Sequence, residues 1–181
     1  MSETKPKKEP FHLSTLSDFC ECLSPVECAY WAEGCGVALE NAKHTSPVDL
    51  SIAGAHEENV SIAWTQVKKS GSWKNPIDSA HFGGLAIAVL VIKRATPYKF
   101  IEQSFGGTGI DYYVGDDVGP NFIKARLEIS GIGEEKGSNT VARRLATKTA
   151  QSKRSDDSGM PAYVVVTEFK GPSATITHRL L

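Results

Sequence analysis

Two acidic residues stand out by their setting. Asp111 follows a glycine-rich turn in 107-GTGIDYYVGD-116, and Glu128 lies in the middle of 124-KARLEISGI-132. Side chains alternate between the faces of a strand, so a strand over 122–132 puts Lys124, Arg126, Glu128 and Ser130 on one side. Ile123, Ala125, Leu127 and Ile129 then take the other side. In 110–115, Asp111 shares a face with Tyr113 and Gly115, opposite Ile110, Tyr112 and Val114. If the two segments pair as consecutive antiparallel strands, Asp111 and Glu128 come close together across the ladder. Carboxylates so placed repel unless a cation lies between them, and Mg²⁺ or Mn²⁺ takes such oxygen ligands together with waters and substrate phosphate. A divalent ion there would lower the pKa of a bound water and stabilise the departing oxygen of a phosphodiester. The competing reading is two solvent-facing acids on a half-exposed sheet.

The elements that must position these acids can be read from periodicity and turn chemistry. Residues 24–43 have helical character, with Ser24 as N-cap and Pro25 in the first turn. Residues 48–67 contain two alternating runs around a polar turn, which predicts a β-hairpin. After a loop over 68–76, Asp78 or Ser79 is expected to cap a helix whose apolar run 80–95 implies burial on most faces. Gly83 and Gly84 in that run suggest close packing against another element. Strands are expected over 98–105, 110–115 and 122–132, the first two joined by the turn 106-GGTG-109. A helix over 140–154 follows, then a strand over 162–169 and an edge strand over 174–181. The predicted order from residue 79 is thus helix, three strands, helix, strand, with a right-handed parallel crossover through the second helix.

With 181 residues, 40% apolar and 23% charged, the chain suits one soluble domain. Residues 1–15 read as a disordered tail, 16–75 as a helix and hairpin extension, and 76–181 as the core, with one compact domain from residue 16. The tail lacks the apolar stretch of a secretory signal, and the run 85-LAIAVLVI-92 is well short of the roughly 20 residues that span a bilayer. A cytoplasmic, non-membrane protein is the expectation. A net charge of −1 gives no global attraction to nucleic acid, so a polyanion site has to come from local charge. Cys20, Cys22, Cys28 and Cys35 cluster in one stretch but lack paired CxxC spacing, which favours buried thiols over zinc, with His12 and His44 as spare ligands for the zinc alternative. Glu168 is either a supporting acid or an edge charge, and His56, His81 and His178 share no ligand spacing.

The order of elements, the Asp in GTGID and the Glu in RLEIS resemble the PD-(D/E)xK nuclease superfamily, whose restriction-endonuclease-like core runs αβββαβ. The chain is also similar to uncharacterised bacterial proteins with motifs of the form GTGxDYWLG, RLEVSG and P-x-Y-V-x-V-x-E-F. The resemblance spans about residues 79–175. It implies an α/β fold with a mixed central sheet flanked by helices, and Asp111 and Glu128 as ligands of Mg²⁺ or Mn²⁺. The superfamily places a catalytic lysine two residues after the Glu, where this chain has Ser130, which cannot supply positive charge. At 100° per residue, Arg144, Lys148 and Gln151 fall on one arc of the following helix, beside an apolar face of Val141, Ala142, Leu145 and Ala146. That ridge is expected to overhang Glu128. Lys148 is then a migrated catalytic lysine, Gln151 positions water or phosphate, and Arg144 touches the substrate backbone.

The function implied is metal-dependent hydrolysis of phosphodiesters, in DNA before RNA, in bacterial defence or mobile-element biology. Lys124, Arg126, Arg143 and Arg144, with the basic segment 143-RRLATKTAQSKR-154, are the expected nucleic-acid contacts. A homodimer or a subunit of a larger complex is the expected assembly. Ser130 and the near-neutral charge favour the alternative, a nuclease-like module without catalysis that binds nucleic acid or a protein partner.

Overall fold

The computed structural model describes residues 9–19, 23–67, 71–116 and 122–180. In chain order the elements are β1 (Phe11–His12), a 3-10 helix (Leu13–Phe19), α1 (Pro25–Asn41), β2 (Val48–Gly54), β3 (Glu58–Ala63), α2 (Pro76–Ala95), β4 (Phe100–Gln103), β5 (Tyr112–Gly115), β6 (Ile123–Ile132), α3 (Val141–Ser152), β7 (Ala162–Glu168) and β8 (Ser173–Arg179). Residues 1–8 of the expected tail, Cys20 and Cys22, and most of the loop 116–121 lie outside the described residues. Helix starts follow capping chemistry: the side chains of Ser24, Asn75 and Thr140 accept from the backbone N–H groups of Glu27, Ile77 and Arg143. Asn75, not Asp78 or Ser79, caps α2, because Pro76 occupies the first position and fixes the start of the helix there.

All eight strands join one mixed sheet in the order β1-β3-β2-β8-β7-β6-β5-β4. The meander β4-β5-β6 is antiparallel, and β6 and β7 run parallel through the α3 crossover. β7 and β8 are antiparallel, and β8 then runs parallel to β2. The sequence of elements from 76 to 168 is therefore αβββαβ, as periodicity predicts. β8 is not an edge strand: it lies between β7 and β2 and fuses the N-terminal hairpin to the rest of the sheet. Residues 9–15 also depart from the expected tail. Phe11 pairs with Ile62, and Phe11, Leu13 and Leu16 are buried in the core.

Helices α1 and α2 cover one face of the sheet, where Ala125, Leu127 and Ile129 of β6 join the main core. α3 covers the other face over a much smaller apolar cluster of Ile132, Val164 and Val166, capped by Val141 and Leu145. Both faces of β6 are thus covered, and its polar face is buried rather than solvated. α2 is long and apolar enough to cross a bilayer, but here it is the central core helix, with Ser79, Ala80 and the run from Gly83 to Ile92 buried. Cys28 and Cys35 lie within the same core, and burial pushes the Cys35 thiol far up.

The glycine pair in α2 has a geometric cause. A Cβ on Gly83 would sit 2.8 Å from the Cα of Cys35 in α1, and one on Gly84 would sit 3.0 Å from the Cα of Gly131 in β6. A Cβ on Gly131 would meet the carbonyl oxygen of Ala80 at 1.7 Å. Backbone thus rides on backbone where α2 crosses β6, which fixes the sheet relative to the helix layer. Gly131→Ala is expected to lower unfolding stability by about 3 kcal/mol, because neither partner can yield without moving an element. Urea denaturation of the variant and the parent reads this directly, whereas Gly133→Ala, which meets nothing within 4 Å, serves as the neutral control.

Candidate functional site

β5 and β6 pair with Tyr112 opposite Leu127, and the next position along brings Asp111 beside Glu128. Asp111 sits where the regular ladder ends. Its backbone N–H donates to the Leu127 carbonyl at 3.1 Å, and its Oδ2 accepts from the Ile129 N–H at 2.8 Å. The carboxylate thus stands in for a missing backbone carbonyl, which locks its orientation toward β6.

α3 supplies the cation. Residues 141, 145, 148, 149 and 152 form the stripe that turns toward the sheet, with Val141 and Leu145 on the small apolar cluster and Ser152 fully buried. Lys148, in the same stripe, reaches down so that its Nζ lies 3.2 Å from Glu128 Oε2 and 3.6 Å from Asp111 Oδ2. One acid from β6, one from the start of β5 and one amine from α3 therefore meet at a single point. The overhang expected of Lys148 is present in the geometry.

Glu128 has no exposed side-chain surface, Lys148 has 19% and Asp111 has 31%. Burial and the neighbouring Asp111, through both its charge and a shared hydrogen bond, raise the pKa of Glu128 to about 8, against the opposing pull of Lys148. The second oxygen of Glu128, Oε1, is buried with no hydrogen-bond partner. A buried carboxylate oxygen left bare costs free energy unless a proton or a cation takes it up. Among the described residues, no group of three or more His, Cys, Asp or Glu side chains gathers to hold a metal. The pair Asp111 and Glu128 with the bare Oε1 fits a hard divalent ion of the Mg²⁺ kind, which commonly takes one or two protein carboxylates and draws its other ligands from water and phosphate.

Beside this cluster opens a cleft of about 440 Å³, bounded by the first turns of α2, the 104–110 turn and the end of α3. His81, Gln103, Ser104, Asp111, Gln151 and Arg154 are among its walls, so Asp111 links the solvent-filled cleft to the buried Glu128. The turn is braced by its own side chains: Thr108 Oγ1 donates to the Phe105 carbonyl at 3.0 Å, and Ser104 Oγ donates to the Ile110 carbonyl. Gly109 in this turn has φ +77°, and a Cβ there would meet the Gln151 carbonyl oxygen at 3.0 Å, so the turn lies close against the end of α3.

Other expected site residues take different places. Gln151 lines the cleft, and Ser130 is buried on the α3-facing side of β6, beside Val166. Arg144 is exposed and donates to Asn139 Oδ1 at 2.9 Å instead of converging on the acids, and Arg143 and Lys124 are exposed. Ala142 and Ala146 are exposed too, so the apolar face of α3 is narrower than its sequence suggests. Arg126 corrects the expectation of a solvent-facing contact. It is wholly buried, donating to the carbonyls of Met160 and Ser152, to Ser155 Oγ and to Asp156. Asp156 also pairs with Arg179, and the two guanidinium groups, Arg179 foremost, hold it below the usual carboxylate range. This network pins the end of α3 to the sheet. Glu168 accepts from the N–H groups of Lys170 and Gly171 and shapes the β7–β8 turn. His44, a spare zinc ligand on the sequence reading, lies against the carbonyls of Phe169 and Lys170. Ser104 and Phe105 carry no site expectation from the sequence, His81 is given no role there, and Arg154 enters only as the end of the basic segment 143–154. The only signal for Phe105 is an aromatic residue directly before a Gly-Gly turn.

The raised pKa of Glu128 has a consequence for stability. The native state keeps a proton that an unfolded glutamate has lost, so between about pH 4.5 and 8 it binds more protons than the unfolded chain, and stability falls as pH rises through that window. Glu128→Gln keeps the shape and removes the titration. In metal-free buffer with a chelator, its urea-unfolding free energy is expected to lose a slope of up to about 1.4 kcal/mol per pH unit relative to the parent. An unchanged slope would mean that Glu128 titrates normally. Comparison with protein-family models, curated proteins and solved structures finds no match to this chain.

Proposed function

We propose that this protein is a divalent-metal-dependent nuclease with a restriction-endonuclease-like core, hydrolysing phosphodiester bonds in nucleic acid, DNA before RNA. The observation that carries the reading is the meeting of Asp111, Glu128 and Lys148 from three separate elements at the edge of an open cleft. Asp111 and Glu128 would hold Mg²⁺ or Mn²⁺. When bound, such an ion supplies Lewis acidity and an activated water.

The chain's own residues do the rest. Ile129 N–H holds Asp111 in place, so the acid at the cleft is oriented before substrate arrives. Lys148 brings a positive charge to the same point, in the role that Ser130 cannot fill, and stabilises charge that builds up on the phosphoryl oxygens. Gln151, on the cleft wall, is placed to orient water or a phosphate oxygen through its amide. From Val141 to Arg154 there are five Lys and Arg residues and no acid, so this segment attracts the phosphate backbone although the net charge of the chain is −1.

A second reading has its own observation. Glu128 is sealed from solvent and already accepts a hydrogen bond from Lys148 Nζ, an arrangement that also serves as a purely structural clamp in a nuclease-like module without catalysis.

Incubation of plasmid, linear and single-stranded DNA with purified protein in Mg²⁺ or Mn²⁺ separates the two. Metal-dependent cleavage is expected, abolished by Asp111→Ala and reduced about 10²-fold or more by Lys148→Ala. Absence of metal-dependent cleavage, or cleavage indifferent to Asp111→Ala, would overturn the catalytic reading of these acids.

A further inference from the structure

We infer that the cleft takes an unpaired polynucleotide strand, with Phe105 as the platform on which a base stacks; the inference rests on the nuclease reading of the adjacent acids. Phe105 is 82% exposed, at the head of the turn between β4 and β5. Most of its ring therefore lies outside the packing of the chain, free to meet a ligand in the cleft that it lines. The ring is carried on a braced segment, since its carbonyl accepts from Thr108 and the adjoining Ser104 is tied to Ile110. Next to it, Gly106 and Gly107 leave open space on the cleft side, with no atom within 4 Å of where a Cβ would stand. A ligand backbone can approach there closely.

The opposite wall continues the aromatic character. His81 lines the cleft and lies edge-on to Phe82 at 5.0 Å; Phe82 meets Tyr30 at 4.7 Å, and Tyr30 stacks on Trp73 at 4.9 Å. Tyr30 is 44% exposed, so this row is partly open to solvent where it leads away from the cleft. Arg154, just past the end of α3, brings a guanidinium to the cleft wall beside Gln151. The cleft thus offers π-faces at Phe105 and His81 and positive charge at Arg154, as a single strand requires: its bases are free to stack while a phosphate meets the guanidinium. In a duplex the bases are already stacked inside, and Phe105 would face only sugar and phosphate. The geometry therefore discriminates by strandedness, and its tolerance of any base predicts little sequence preference.

The test is fluorescence anisotropy in chelator, with fluorescein-labelled oligothymidylate alone and annealed to oligodeoxyadenylate. The single strand is expected to bind more tightly than the duplex. Phe105→Ala should weaken single-strand binding at least about fivefold, leave duplex binding unchanged and leave the thermal midpoint unmoved, while Phe105→Trp restores affinity. Equal or stronger duplex binding, no binding of the single strand, or indifference to Phe105→Ala would overturn the inference. The two readings fail separately. Metal-dependent cleavage of DNA without the Phe105 effect leaves the nuclease standing and removes the stacking platform. Phe105-dependent single-strand binding without cleavage keeps the platform and removes the catalysis.

Discussion

A carboxylate with no exposed surface, placed on a central strand, is the constraint around which the α3 side of this fold is arranged. Leaving such a charge unpaired would cost several kcal/mol. Glu128 therefore needs a proton, a cation or both: Lys148 brings the cation from α3, while burial and the charge of Asp111 favour the proton. That need sets where α3 can lie. Its apolar footing is only Val141 and Leu145 on a three-residue cluster, too little to fix the register of a helix. Lys148 at its middle, and the buried network of Arg126, Ser152 and Asp156 at its end, fix it instead. α3 is docked by directed polar bonds more than by area.

The other face works by contrast. There α2 meets β6 through Gly84 and Gly131 with backbone in contact, and α1 meets α2 through Gly83. Close-packed apolar contacts of this kind are stiff and insensitive to pH or ions. The sheet is therefore held rigid from one side and dressed with ionisable groups on the other. β5 and β6 thus hold the two acids on a firm backbone, while α3, which carries the amine, is held by bonds that protonation can retune.

Much of this was legible in the sequence, for identifiable reasons. Strand alternation placed Glu128 on one face with Arg126 and Ser130, and helical spacing brought Lys148 over it, because both periods are properties of the backbone itself. What alternation cannot say is whether a polar face meets water or a polar helix. Arg126 looked like a surface contact for that reason, although it is buried among carbonyls. Nor does periodicity encode where a strand sits in a sheet, so β8 read as an edge. The ordering of residues 9–15 depends on three apolar side chains finding partners in α1, α2 and β3, contacts too distant in sequence for local pattern to reveal. The cleft was missed because its walls come from α2, a turn and the end of α3, and only the folded chain brings them together.

The insertion of β8 between β7 and β2 has a consequence for how the molecule is made. β2 and β3 leave the ribosome early, yet the neighbour that completes β2 is more than a hundred residues further along. Until β8 arrives, the growing chain carries two open strand edges, one on the first hairpin and one on β7. Such edges invite pairing with other nascent chains. β8 closes both at once, joining the β2–β3 hairpin to β7. Loss of β8 should therefore loosen the distant β2–β3 hairpin as much as its neighbour β7.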